Sequence, residues 1–330
     1  MASEPESIEE LNDTTAGALL PERPVRGHKG TFGRLLVVAG SLDYAGSALL
    51  VCTAAGRAGA GLVALAVPES LQPLFAAKVV EATTMALPED DVEEVEPEDA
   101  LGRILDHEHD AIVVGPGLRP GLATVELIRR LLAVDEDGTP PAVVDAEALR
   151  SLAADDGWWL GVHRACVLTP HTGEFARLRA ASGIGADADG DLLGDDVARS
   201  TAAADAARSW GQVVVLKGAR TVIAAPDGRL ARATFENPAM ASGGTGDVLS
   251  GTIGALLAQR LEPFAAARLG VFLHGTAGES IRDRLGDAGL LASDLPFEIA
   301  LARKRLGAAR ARRTAERKLG FGVRPAGGPT

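Results

Sequence analysis

The chain has 330 residues, 46% hydrophobic and 24% charged, enough apolar material to bury a large core, so disorder as the main theme is excluded. Glycine (39) and proline (18) follow no G-X-Y period, which excludes collagen and demands many tight turns. The formal net charge is −12, and because residues 302–330 carry nine Lys/Arg against Glu316 alone, the rest of the chain stands at roughly −20, a balance that repels nucleic acid and bilayers.

The N-terminus, MASEPESIEELND, is acidic where a signal peptide is basic and then greasy, and no stretch reaches the ~20 apolar residues of a membrane-spanning helix. Residues 1–24 are expected to be an acidic tail and the protein to be cytoplasmic. Aliphatic runs then recur at 35–39, 62–67, 111–114, 142–144, 166–168, 213–216 and 221–225. They are apolar throughout, as strands buried on both faces are, and most precede a glycine-containing turn and an Ala/Leu-rich stretch with helical spacing. The predicted fold is a single α/β domain, a doubly wound, mostly parallel sheet flanked by helices. The acidic stretch 89–110, with eleven Asp/Glu, and the Gly/Asp-rich tract 183–196 read as surface excursions, and 302–330 as a basic, solvated tail. Cys52 and Cys166 lie in apolar runs without CxxC or zinc spacing and read as small buried hydrophobes.

In such sheets ligands bind beyond the C-terminal ends of the strands, which directs attention to the turns there. Ala241-Ser242-Gly243-Gly244-Thr245-Gly246-Asp247 opens a helix over 248–259, and small residues before a helix leave amides uncovered to bind phosphate or an oxyanion. Asp247 at that helix start is either an N-cap or the acceptor of a proton from a hydroxyl that attacks the phosphate. Thr169-Pro170-His171-Thr172-Gly173-Glu174 places His171 at a strand mouth, as a structural residue or a ligand contact, and Glu174 as a cap or a magnesium ligand through water. Lys217-Gly218 sets a cation at another strand end, to meet phosphate or to snorkel. GxxxxGK[ST] and GxSxG are absent, and after Gly115-x-Gly117 the dinucleotide fingerprint meets Pro120 where it needs glycine. His107-Glu108-His109 looks metal-like but lacks a third ligand at useful spacing.

Taken in order, His28-Lys29-Gly30-Thr31-Phe32-Gly33, AGSLDYAGSALL, GPGL, VVDAEAL, LTPHTGEF, VVLKGARTVIAAPDG and NPAMASGGTGDVLSGTIGALLAQ resemble the ADP/ATP-dependent NAD(P)H-hydrate dehydratases of the ribokinase-like superfamily, across roughly residues 25–285. The resemblance implies a ribokinase-like dehydratase domain over 25–301 without the family's epimerase domain. It implies repair of the S-form of hydrated NADH or NADPH, with ADP (or ATP) as co-substrate and Mg2+ bridging its phosphates. The C6 hydroxyl is phosphorylated and phosphate is then lost. By resemblance, Asp247, Gly244, Thr245 and Gly246 are catalytic, and Ser47, Gly117, His171 and Asp247 contact the hydrated cofactor. Lys217, Gly218, Ala219, Arg220, Thr221 and Gly246 contact the nucleotide, and Glu174 is a candidate for magnesium. At Ser47 the family usually has Ala, so the hydroxyl adds one hydrogen bond, and at Ala239 it more often has Gly. A homo-oligomer, plausibly a tetramer, and dependence on a separate epimerase also follow from the resemblance. The same residues admit a ribokinase-like kinase for a vitamin-precursor alcohol as the alternative, and a nucleotide-binding module that has lost catalysis, against which the intact GGTGD argues.

Overall fold

A computed structural model describes residues 8–90, 94–183 and 192–318; the rest of the 183–196 tract and of both chain ends lies outside the described residues. Ten strands form one sheet: β1 (Ile8–Glu10), β2 (Arg34–Val38), β3 (Leu62–Pro68), β4 (Thr83–Leu87), β5 (Ala111–Val114), β6 (Ala142–Val144), β7 (Cys166–Leu168), β8 (Val213–Leu216), β9 (Val222–Ala224) and β10 (Leu230–Arg232). The helices are α1 (Asp13–Leu19), α2 (Ala45–Ala58), α3 (Gln72–Ala76), α4 (Pro97–Asp106), α5 (Leu122–Leu132), α6 (Glu147–Leu152), α7 (Thr172–Ser182), α8 (Asp196–Trp210), α9 (Thr245–Ala258), α10 (Pro263–Leu285) and α11 (Leu295–Lys318).

Strand order is β1-β10-β9-β8-β7-β6-β5-β2-β3-β4, and all pairs are parallel except β8–β9 and β9–β10. Val37 registers with Val113 and Val113 with Val143, so the middle of the sheet is unbroken aliphatic on both faces. Leu35 and Val37 pack into one core with α1, α2, α9, α10 and α11, whereas Leu36 and Val38 pack into the other with α4 to α8. The chain runs from β2 outward to β4, then returns to β5 on the opposite side of β2. Loops leaving β2 and β5 therefore diverge, and the crevice between them is the topological switch point of the sheet.

Three expectations about the periphery need correction. Residues 8–20 are not tail: β1 pairs with β10, Asn12 caps α1 through the amides of Thr14 and Thr15, and Leu11 and Ala16 are buried. The segment after 301 is not a free basic tail either, because α11 continues to Lys318 with Ala302 and Leu306 buried, and Arg310 donates to the carbonyl of Leu20 at 2.7 Å. The acidic stretch 89–110 contains α4, whose Ala100 and Ile104 are fully buried; its charges lie on the opposite face of an amphipathic helix. Cys52 and Cys166 are free and buried as expected, and burial pushes both thiols up to about 12. Among the described residues no helix is long and apolar enough to cross a membrane.

Candidate active site

Helices α2 and α9 cross at the switch point with almost no gap. A Cβ at Gly251 of α9 would lie 2.3 Å from the carbonyl oxygen of Val51 in α2, so only glycine permits this approach. The contact brings the first turns of the two helices together. Gly244 precedes α9 in the left-handed region, at φ 90°, and leads into Thr245, Gly246 and Asp247 as the first three helical residues. Asp247 is thus the third residue of the helix and not its N-cap, which is Gly244. It accepts a hydrogen bond from Ser47, the third residue of α2. Gly117, at φ 67°, closes the other side: a Cβ there would stand 2.8 Å from that of Ser47.

Burial, and then the charge of Asp145, push the Asp247 carboxyl up to about 6, against the opposing pull of Ser47 and Lys217. The amides of Gly246 and Asp247, in the first turn, have no acceptor within the helix. That of Thr245 reaches the Ser242 carbonyl at 3.4 Å and its hydroxyl donates to Met240 and Ser242 carbonyls, so Thr245 shapes the loop as much as it offers a donor.

Asp145, at the end of β6, appeared in the sequence only as one letter of VVDAEAL, yet it organises the centre. Its side chain is 2% exposed and accepts from Lys217 Nζ at 2.8 Å and from Ser250 Oγ at 2.5 Å. The backbone strain at Ala146, φ 50°, sits directly behind it, a placement typical of functional turns. Burial works to lower the Lys217 pKa, but Asp145, Glu174 and Asp247 together hold it above its ordinary value, so the ammonium stays charged. Partners 72 and 105 residues away explain why spacing could not reveal Asp145.

His171 takes the structural one of its two alternatives, and its exposed ring leaves the ligand contact open to it. Its Nδ1 accepts from the amides of Gly173 and Glu174, capping α7, which puts the proton on Nε2, 3.4 Å from Glu174 Oε1. The ring is 56% exposed and stands at the strand mouth. Glu174 Oε2 accepts from the His171 amide at 2.8 Å and lies 3.8 Å from Lys217 Nζ, while burial pushes the carboxyl up in spite of that lysine. Three carboxylates, Asp145, Glu174 and Asp247, thus surround one ammonium. Such an excess of negative charge suits a hard divalent cation. Each Glu174 oxygen has one protein partner and a further lone pair, an arrangement compatible with contact to a cation through water. No cluster of three potential metal ligands occurs among the described residues; Glu108 pairs with Arg34, and His109 Nδ1 donates to the His107 carbonyl at 2.6 Å.

Beside this centre, over β8 and β9, lies a cleft of about 590 Å³. Phe235, Met240 and Val271 give it apolar walls, and Lys217, Gly218, Ala219, Thr221 and Gly246 line its polar side. Arg220 does not join them. Its guanidinium is drawn outward to Glu10, Asp196 and Glu236, because β1 brings an acidic residue alongside β10. His274 of α10 borders the same cleft. Burial holds it down to about 4, so the neutral ring donates from Nε2 to the Thr245 carbonyl at 2.9 Å and braces the glycine turn.

The doubly wound sheet, with an amide-rich helix start at its switch point, has the ribokinase-like fold. An Enterococcus faecalis protein described as ribokinase-like shares this fold, with a TM-score of 0.69 and 23% identity over 94% of this chain and 98% of that one. Within the class, this chain belongs to the NAD(P)H-hydrate dehydratase family, Carb_kinase, whose model matches residues 35–300. The ADP/ATP-dependent NAD(P)H-hydrate dehydratase of Bacillus subtilis, co-crystallised with ATP/Mg2+, superimposes with a TM-score of 0.75 and 31% identity over 91% of this chain and 99% of that one. The bifunctional NAD(P)H-hydrate repair enzyme Nnr of Moorella thermoacetica is 44% identical over 84% of this chain and 50% of its own length. The ADP-dependent (S)-NAD(P)H-hydrate dehydratase of Xanthomonas campestris pv. campestris is 36% identical over 87% of this chain and 94% of its own. The chain spans about half the length of the bifunctional relatives it matches.

Proposed function

We propose that the protein dehydrates the S-form of hydrated NADH or NADPH, converting ADP to AMP and phosphate. The observation that carries the reading is Asp247: a carboxylate raised to about 6, at the first turn of an amide-rich helix, opening on a cleft suited to a nucleotide. The base of the nucleotide rests on Phe235 and Met240, and its terminal phosphate faces the first-turn amides of α9 and Lys217. The hydrated nicotinamide lies on the Ser47 and Gly117 side with its C6 hydroxyl toward Asp247, and His171 stands at the mouth.

Asp247 takes the hydroxyl proton as the oxygen attacks the terminal phosphorus, and the bond from that phosphorus to the leaving oxygen of ADP breaks, giving AMP. Phosphate is a far better leaving group than hydroxide. The ring-nitrogen electron pair expels it from C6, a proton is lost from the adjacent carbon, and the reduced nicotinamide is restored. Lys217, kept charged by Asp145, neutralises the transferring group. Magnesium, when bound with the nucleotide, would supply charge neutralisation at its phosphates, held through water by Glu174. The reading includes ADP in preference to ATP, supported by the description of the Xanthomonas relative, and a homo-oligomer served by a separate epimerase activity.

The test is recovery of the reduced-nicotinamide absorbance band when the protein meets hydrated NADH, Mg2+ and ADP or ATP. Recovery with release of AMP is expected. A stable phosphorylated vitamin-precursor alcohol in place of recovery would instead establish the kinase alternative.

A further inference from the structure

The peptide joining Thr245 to Gly246 is the part of the phosphate cradle most able to move. A peptide plane flips by changing ψ of the residue before it and φ of the residue after it, and the flipped form sets the second residue at positive φ. Gly246 tolerates that conformation without steric cost, yet the structure holds it in the helical one. The Thr245 hydroxyl bonds the carbonyls of Met240 and Ser242, which fixes its side chain and leaves the plane beyond it free. An α-helix gives the carbonyl of its first residue one partner, the amide four residues on, in a turn that frays readily.

His274 supplies a second partner. Its Nε2 lies 2.9 Å from the Thr245 carbonyl oxygen, and because that oxygen can only accept, the proton is on Nε2. Across a trans peptide the C=O and N–H point in opposite directions, so a ring that holds this oxygen aims the Gly246 N–H the other way. Thr245, Gly246, Lys217 and His274 all border the nucleotide cleft, and a Cβ at Gly246 would stand 3.4 Å from Lys217 Nζ, so amide and ammonium serve one anion. The ring is itself held firmly. A Cβ at Gly275 would collide with the Phe235 ring and one at Gly278 with Met240, so α10 lies flush against the cleft wall. Burial, aided by Lys217, keeps the imidazole neutral, and it fixes a direction without adding charge beside the lysine. On the functional reading above, we propose that His274 is a positioning residue for phosphoryl transfer: it latches the peptide between Thr245 and Gly246 so that the Gly246 amide meets the terminal phosphate of ADP. AMP lacks that phosphate and does not sense the latch.

Calorimetry with ADP and with AMP, beside steady-state kinetics on hydrated NADH, tests the latch. His274→Leu removes the donor at similar volume, and His274→Gln keeps one, since its amide nitrogen reaches the place of Nε2. In His274→Leu the ADP Kd is expected to rise about tenfold, the size of one charge-assisted hydrogen bond, and kcat to fall by about tenfold or more, while the AMP Kd stays within about twofold. His274→Gln should recover most of both losses. His274→Asn, whose amide falls short of the carbonyl, should match His274→Leu and serves in its place if that variant does not fold. A ring that only fills space predicts instead a lower Tm in all three variants, with ADP and AMP affinities moving together. An unchanged ratio of ADP to AMP Kd in His274→Leu or His274→Asn overturns the proposal, as does His274→Gln performing no better than His274→Asn. Absence of turnover by the wild type with any hydrate would overturn the functional reading alone, and the ADP-to-AMP ratio would still decide the latch.

Discussion

A carboxylate that accepts a proton near neutral pH must have a pKa well above that of an exposed aspartate, and Asp247 owes its value of about 6 to burial and to Asp145. Activity should therefore decline as pH falls through about 6, seen in the acid limb of kcat/KM. Its folded pKa exceeds the ordinary 3.8, so the unfolded chain loses this proton first, and stability declines as pH rises from about 4 to 6, by on the order of 3 kcal/mol. Asp247→Asn should accordingly melt higher than wild type at pH 7, with the advantage vanishing near pH 4. The same variant should lose about 100-fold or more in kcat while its ADP Kd, by calorimetry, stays within about twofold. Ser47, where the family usually has Ala, donates to Asp247 and lowers its pKa; Ser47→Ala should move the acid limb upward and keep activity at pH 8. The glycine turn and Asp247 were legible in the sequence because their chemistry is local. Asp145 and His274 were not, since each acts through a partner brought near only by folding, and the outward pairing of the Arg220 side chain was hidden because the acids that draw it sit on β1 and α8.

Strands β2, β5, β6, β7 and β8 announce themselves as aliphatic runs, because burial on both faces leaves no place for polar residues. β1, β4 and β10 have no such signature. They lie at or near the sheet edges, and sequences such as IEE and LAR are held by register with a neighbour, not by their own apolarity. Among helices the critical pair is α2 and α9, whose glycine contact aligns Ser47 with Asp247. Gly251→Ala would drive a methyl against the Val51 carbonyl and push the helices apart. The expected cost is about 1 to 3 kcal/mol, read as a lower Tm, with a fall in kcat larger than any change in ADP affinity.

The two ends of the described chain are structural partners. Arg303 donates to the Ala58 carbonyl at 2.9 Å and Arg310 to that of Leu20, so α11 ties α1 and α2 to the body. Net charge alone suggested that everything past 301 is dispensable, because periodicity in so basic a helix is hidden by arginines whose stems pack while their heads bond carbonyls. Deleting 302–330 exposes the surface covered by Ala302 and Leu306 and removes the arginine donors to those carbonyls. The loss is expected to be on the order of 5 kcal/mol, comparable to the stability of many domains, and to appear as insoluble expression or a collapsed melting transition.

From Val248 to Ala258, α9 is buried without interruption, and the acid is the residue just before that run. A group mounted on the deepest timber of a building falls only when the building does. On warming, turnover and the far-UV dichroic signal should vanish along a single sigmoid with a common midpoint, and catalysis that faded at lower temperature would reveal a crevice able to gape while the rest still stood.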